Sequence, residues 1–377
     1  MIWLYNFYPN LMLDIFLQFT LVILVIIGWR LLFQKFDILD RPGKDIPSRR
    51  PVPNFQWIWF VLAFLLVVSI FFPSYIYFPK IFGMLVWVVL LFILSVWDDF
   101  VWYFNKLKWR PASVRLALQF LIIAISIYIS GIYLDFNILW YDINPIITFV
   151  AMIFWIWMFI NSINRFDGYN LGISSIVSSV WFATIYILVH WIVLPNLISQ
   201  NISDIYILGA VANLSLILCF LSICSFVMEF RPSWVIRDVG IMFYGFCLWY
   251  LSLVWWAKVG MLMTALWLPL LDSIWTVVNR VFVMNKSPMK WDWTHLHYRL
   301  LALNWTKNEI RSFVFLWSVF FMNIWVMQWL DRVNKLVIFI WMAWLFFGIN
   351  IYMYRYKKTP FEFKPKWIET KDWDREF

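Results

Sequence analysis

Long apolar stretches alternate with short polar ones from one end of the chain to the other. Runs of about 17–25 apolar residues, the length a helix needs to cross hydrocarbon, recur throughout. They fall at roughly 11–33, 56–72, 81–97, 113–134, 145–162, 171–194, 205–228, 239–257, 260–282, 310–330 and 334–354. This pattern predicts an all-α, polytopic integral membrane protein with about 10–11 transmembrane helices. The first run has no basic leader and no small-residue cleavage site, so it reads as a retained span. Residues 1–354 form one transmembrane helical domain, and 355–377 form a basic, aromatic tail on the cytoplasmic side. No internal repeat and no separate soluble domain interrupts the series.

Composition agrees with this picture. The 377 residues are 64% hydrophobic, with a mean hydropathy of +0.77, well above the apolar share of soluble domains. Charge then sets the orientation. Of 30 lysines and arginines, only Lys80, Lys258, Arg332 and Lys335 fall in the even-numbered connections. By the positive-inside rule the odd connections and the tail are cytoplasmic, and the N-terminus is outside. The net charge of +9 is spread over short loops at the membrane edge, without a stripe or a nucleic-acid module. Membrane lipids with anionic headgroups and phosphates are therefore the expected partners, and nucleic acid is not. Cys219, Cys224 and Cys247 all lie in apolar runs and offer neither a disulfide framework nor a zinc spacing. Interfacial belts explain part of the 29 tryptophans.

The unusual polar residues share one side. "ILDRPGKDIPSRRPVPNF", "WDDF", "NSINRFDGYN", "RPSWVIRDVG" and "KWDWTHLHYRLL" occupy the first, third, fifth, seventh and ninth connections. All five are cytoplasmic in the orientation that charge alone gives. A solvated loop accounts for a lone Lys or Asp, but not for Asp, Asn and His gathering on one face. The pattern points to one site built from five loops. Asp98 and Asp99, with Asp238, are oxygen donors suited to Mg²⁺, or Mn²⁺, beside substrate phosphates. Adjacent residues cannot point the same way on a helix, so one of the aspartates holds metal while the other orients a neighbour. His295 and His297 stand among Lys286, Lys290 and Arg299, either clamping an anion or simply lying on a basic surface loop. Asn161, Asn164, Asp167, Gly168 and Asn170 supply donors and acceptors of the kind that read a nucleobase edge or a ribose. Asp272 is the clearest charge inside a predicted span, either lining the site or satisfying a neighbouring helix.

In this arrangement the chain resembles the polyprenyl-phosphate N-acetylhexosamine-1-phosphate transferases. The resemblance runs from Asp40 to about Leu301 in matching order and span parity. Asp98-Asp99 matches the paired aspartates after the third span, and "KWRPASVRLALQF" matches the basic segment and glutamine that follow, with Gln119 in the glutamine position. "NSINRFDGYN" resembles N-x-x-N-x-x-D-G-x-D, and "PLLDSIWTVVNR…THLHYRL" resembles the ninth span and its H-x-H-H-R-L loop. The histidine segment is closer to the branch that initiates O-antigen, enterobacterial-antigen or teichoic-acid synthesis than to the branch using the pentapeptide nucleotide. The sequence also departs from the family. Ile46 and Ser48 stand where it has Lys and His, Gln56-Trp57 replace its Gly-Gly, Asn170 its second aspartate, and Arg237 its leading glycine.

The resemblance implies a multi-pass protein of the bacterial inner membrane, with a homodimer compatible with it. It also implies Mg²⁺-dependent transfer of a sugar 1-phosphate from a UDP-sugar to polyprenyl (undecaprenyl) phosphate, releasing UMP, as the first membrane step of a cell-envelope polysaccharide pathway. In that scheme Asp98, Asp99 and Asp238 hold the metal, and His295 and His297 contact phosphate. Asn161, Asn164, Asp167, Asn170, Arg237, Arg299 and Lys44 bind substrate, with Arg237 beside Asp238 taking up contacts to the diphosphate. A covalent route through Asp98 is the alternative chemistry. A transporter or a non-catalytic lipid-binding relative is the alternative class. The orientation is directly testable: a cysteine placed in the loop carrying His295 and His297 labels only from the cytoplasmic side of intact cells, and labelling from outside overturns the single-site arrangement.

Overall fold

The computed structural model describes residues 11–36, 38–40, 52–53, 55–105, 112–132, 137–138, 141–142, 144–166, 171–194, 202–230, 237–254, 267–285, 294–326 and 332–355. Among these, twelve α-helices carry most of the described residues. They are α1 Leu11–Lys35, α2 Trp57–Phe71, α3 Pro79–Asn105, α4 Ala112–Ser130, α5 Pro145–Phe166, α6 Ile173–Ile187, α7 Ile202–Phe230, α8 Arg237–Val254, α9 Trp267–Val278, α10 Leu296–Ala302, α11 Lys307–Val326 and α12 Arg332–Arg355. Wider π turns, Leu188–Val193 and Asn279–Val283, continue α6 and α9. Two antiparallel pairs of two-residue strands complete the description. Leu39–Asp40 pairs with Val52–Pro53, and Asn137–Ile138 with Tyr141–Asp142.

Eleven of the twelve helices follow the eleven apolar runs in order. Six are long and apolar enough to cross a membrane, namely those within α1, α3, α5, α6, α7 and α12. Trp57–Phe71 has only 15 residues, or about 22 Å at 1.5 Å per residue, less than the roughly 30 Å of hydrocarbon. Pro73 stops it by removing an N–H, and the chain gains further length in the 3₁₀ turn Pro73–Tyr77. The outward faces stay apolar: Leu24, Ile27 and Leu31 on α1, and Trp341, Trp344 and Leu345 on α12, are exposed. An exposed face of this composition suits lipid and not water.

Two boundaries differ from the sequence expectation. The third run was expected to end at 97, but α3 continues to Asn105, so Asp98 and Asp99 lie within a helix and not in a connection. The histidine segment, expected as a loop, contains the short helix α10, with His295 as its N-cap. The tryptophans also correct a simple belt. Trp57, Trp87, Trp181 and Trp249 are among the largest fully buried side chains. The indole N–H groups of Trp181 and Trp249 have no hydrogen-bond partner, so these rings serve as apolar bulk at a cost in unmade hydrogen bonds.

Antiparallel packing of α3 and α8 sets the level of the site. Near one end Tyr250 donates to the Lys80 carbonyl at 2.6 Å, and further along Trp87 stacks on Phe246. Continued at the same register, Asp98–Asp99 near the end of α3 falls within about one to two turns of Asp238 at the start of α8. α5 crosses α8 closely, since a Cβ on Gly245 would meet the Ile160 Cα at 3.3 Å. The C-terminal end of α5 is placed by Phe166, whose ring meets that of His297 edge-on at 5.9 Å.

Close approach at the opposite end depends on Gly83. Ser126 Oγ donates to the Gly83 carbonyl at 2.7 Å. A Cβ at Gly83 would lie 2.6 Å from the Ser126 carbonyl oxygen and 2.7 Å from the Ser130 Cβ. Small residues allow helix backbones to approach in this way within membranes. Gly83→Ala is expected to destabilise the protein by about 1–3 kcal/mol, read as a lower thermal midpoint in detergent. An unchanged midpoint would show that α3 and α4 separate freely.

Candidate functional site

The buried polar residues at this end begin with Asp272 on α9, which is fully buried. Its Oδ2 lies 2.7 Å from His295 Nδ1, and its Oδ1 accepts the Leu296 backbone N–H at 2.8 Å. Both carboxylate oxygens are thus occupied by the segment leading into α10. Asp272 thereby fixes the ring's orientation and keeps Nδ1 facing into the protein. The choice left open by sequence is settled in geometry: Asp272 holds the histidine segment.

His297 lies two residues on and is completely buried. Its ring is parallel to that of His295, with centroids 5.9 Å apart, and meets Phe166 at the end of α5 edge-on at 5.9 Å. Both of its ring nitrogens are buried without a hydrogen-bond partner. Burial pushes its pKa well below the usual histidine value, and the neighbouring His295 adds to that effect. The surface-loop alternative is corrected at this residue: His297 is buried.

Arg299, expected to bind substrate, is turned toward α12. Its Nη1 donates to Asn350 Oδ1, its Nη2 donates to the Asn350 carbonyl at 3.1 Å, and its guanidinium stands 5.9 Å over the Trp275 ring. Burial lowers its pKa, and Asp272 partly offsets that. Nearby, Arg280 Nη2 donates to Thr294 Oγ1 at 3.3 Å, both residues being buried.

Asn161 and Asn164 occupy the last turns of α5. Asn161 Nδ2 donates to the Trp157 carbonyl at 2.8 Å, leaving its amide oxygen as the group to offer, and Asn164 is half-buried one turn on. The structure thus brings Asn161, Asn164, His295, His297 and Arg299 to one end of the bundle, joined by the Phe166–His297 contact. Lys44, Asp167 and Asn170 lie outside the described residues, as do the side chains of Asp98, Asp99, Arg237 and Asp238. Among the described side chains, no three carboxylate, imidazole or thiol groups converge on a metal position. The backbone register of α3 and α8 and the oxygen-only chemistry of three carboxylates fit a hard cation such as Mg²⁺.

Sequence reading missed Asn350 and Arg280. Asn350 carried a usable signal, since a lone asparagine deep in the last apolar run needs a partner. Comparison of the chain with protein-family models and with curated proteins returns no match.

The burial of His297 sets a pH dependence. Below an unfolded value of about 6.5 the unfolded chain takes up a proton at this residue that the folded protein does not. Stability therefore falls as pH drops, by up to about 1.4 kcal/mol per pH unit for one proton. His297→Gln is expected to show a shallower loss of unfolding midpoint between pH 7 and pH 5 than the wild type. His295 and Asp272 are common to both proteins, so equal slopes would mean that His297 titrates in the folded state.

Proposed function

We propose that the chain is a phosphoglycosyltransferase of the bacterial inner membrane. It transfers a sugar 1-phosphate, of the N-acetylhexosamine class, from a UDP-sugar to a polyprenyl phosphate. In this reading all eleven helices that follow the apolar runs act as spans, the N-terminus is outside, and the site faces the cytoplasm. The observation that carries it is His297. A fully buried imidazole with two unmet hydrogen-bonding nitrogens costs free energy unless something else meets them. It stands between the Asp272-oriented His295 and the end of the helix bearing Asn161 and Asn164. Phosphate oxygens of a bound nucleotide answer the donor, and the charge pattern along the sequence names the same end of the molecule.

The chemistry needs little from a general base. A phosphate monoester has a second pKa of about 6, so the terminal phosphate of the lipid carrier is already a competent nucleophile. Its oxygen forms a bond to the sugar-side phosphorus of the UDP-sugar. The bond from that phosphorus to the bridging oxygen breaks, and UMP leaves with the bridging oxygen and its electron pair. The protein's work is to hold two anions in line and stabilise the charge that spreads over the transferred phosphoryl. Mg²⁺ held by Asp98, Asp99 and Asp238 supplies charge neutralisation at that centre. His297 donates to a phosphate oxygen as a neutral group, His295 is held in register by Asp272, and Asn161 and Asn164 offer polar edges to the nucleoside or sugar.

Membranes containing the protein, incubated with labelled UDP-sugars and undecaprenyl phosphate, are expected to release UMP. A transporter or lipid-binding protein releases none. Asp98→Asn and Asp99→Asn each remove transition-state stabilisation of roughly 3–4 kcal/mol, slowing turnover on the order of a hundred- to a thousandfold, while the protein stays folded. Near-normal UMP release by the double variant would reduce the pair to part of a helix end.

A further inference from the structure

A second buried polar cluster lies at the same end of the bundle, on the side of α6, α7 and α11. At its centre is Arg311, in the second turn of α11 and 5% exposed. Its Nε donates to the Leu171 carbonyl at 2.9 Å, and its Nη2 to the Glu229 carbonyl at 3.5 Å. Its Nη1 donates to Asn308 Oδ1 at 3.1 Å, and its guanidinium lies 4.8 Å over the Phe230 ring. The two carbonyls are far apart in sequence, but each sits where a polar motif meets a helix. Leu171 follows the last residue of "NSINRFDGYN". Glu229 and Phe230 end α7, directly before "RPSWVIRDVG".

Glu229 fixes the first junction from its other side. Its carboxylate Oε2 accepts the Ser175 hydroxyl at 2.7 Å, and Ser225 Oγ stands 2.9 Å from Ser175 Oγ. Gly172, between Leu171 and the start of α6, has φ +65°, and a Cβ there would come within 3.3 Å of Glu229 Oε2. The turn out of the first motif is thus set by a left-handed glycine pressed against this carboxylate, and its carbonyl partner is a planar, multiply bonded guanidinium. Such a fork sets direction as well as distance, which a lysine cannot reproduce.

We infer that Arg311 is a positioning residue for the UDP-sugar site, a single guanidinium that holds the ends of two substrate-reading segments in one register. It lies on α11, outside every motif that the chemistry identifies, and makes no contact of its own with substrate. This rests on the transferase reading above. If it holds, loosening Arg311 spoils recognition of the nucleotide donor but not of the lipid carrier, whose phosphate is met elsewhere.

The test measures UMP release by the full-length protein in membranes while UDP-GlcNAc and undecaprenyl phosphate are varied separately. Arg311→Lys keeps the charge and loses the fork. Its KM for UDP-GlcNAc is expected to rise about tenfold, with kcat and the KM for undecaprenyl phosphate changed by less than about twofold. Gly83→Ala destabilises the opposite end of the bundle, and is expected to lower the thermal midpoint while leaving the donor KM alone. Equal rises in both KM values, or the same donor KM change in Gly83→Ala, would make Arg311 merely structural and overturn the inference. If Arg311→Lys does not fold, Asn308→Ala removes one support of the guanidinium. A donor KM rise of about threefold is then expected, and an unchanged value overturns the inference. A wild-type protein that releases no UMP from any UDP-sugar overturns the transferase reading, and this inference with it. An active wild type with an insensitive Arg311 overturns the inference alone.

Discussion

The carboxylate of Asp272 is buried in an apolar bundle, and everything at the site end is arranged around keeping it satisfied. Hydrocarbon offers no water to solvate a charge, so the protein must supply every partner. Here it supplies two, the His295 ring and the Leu296 N–H. Removing one partner of such a buried pair typically costs roughly 3–5 kcal/mol, because the other charge remains uncompensated. The segment 294–302 therefore cannot drift from α9 without a large penalty. That constraint brings His297 against Phe166, and hence the histidines against the polar end of α5. Arg299 closes the same segment onto Asn350 of α12.

The arrangement separates two kinds of polar group. Asp272, Arg299, Arg280 and Arg311 spend hydrogen bonds on the protein, tying short segments to long helices. Among the described residues, His297 of this set keeps both ring nitrogens without a partner. Groups of the first kind are architecture. The distinction also explains why a basic composition does not translate into a row of free cations: a buried guanidinium is stable only where the protein supplies hydrogen bonds.

Sequence departures from the resembled family gain a context here without losing their force. Ile46, Ser48, Asn170 and Arg237 depart from the family's pattern in sequence, whereas the supports seen in the structure lie outside those positions. Asn350, Glu229 and Arg311 come from three different helices, and none belongs to a motif. A site can retain its frame while its reading residues change, because carbonyl and amide contacts do not depend on the identity of the side chains they hold.

Much of the molecule follows from sequence alone, for a physical reason. Crossing hydrocarbon requires long apolar helices, and eleven helices follow the eleven runs in order. Span parity, which needs only counting, predicts the gathering of Asp98, Asp99, Asn161, Asn164, Asp238, His295 and His297 at one end; among the described side chains, Asn161, Asn164, His295 and His297 lie together there. What counting cannot supply is pairing between helices distant in the chain. Asp272 with His295, Arg299 with Asn350, and Arg311 with Leu171 and Glu229 are contacts between faces, and a helix that is apolar on nearly every side does not reveal which face meets which neighbour. The same blindness hid the burial of His297. A histidine in a basic loop reads as a surface group, and only the three-dimensional packing decides whether water reaches its ring.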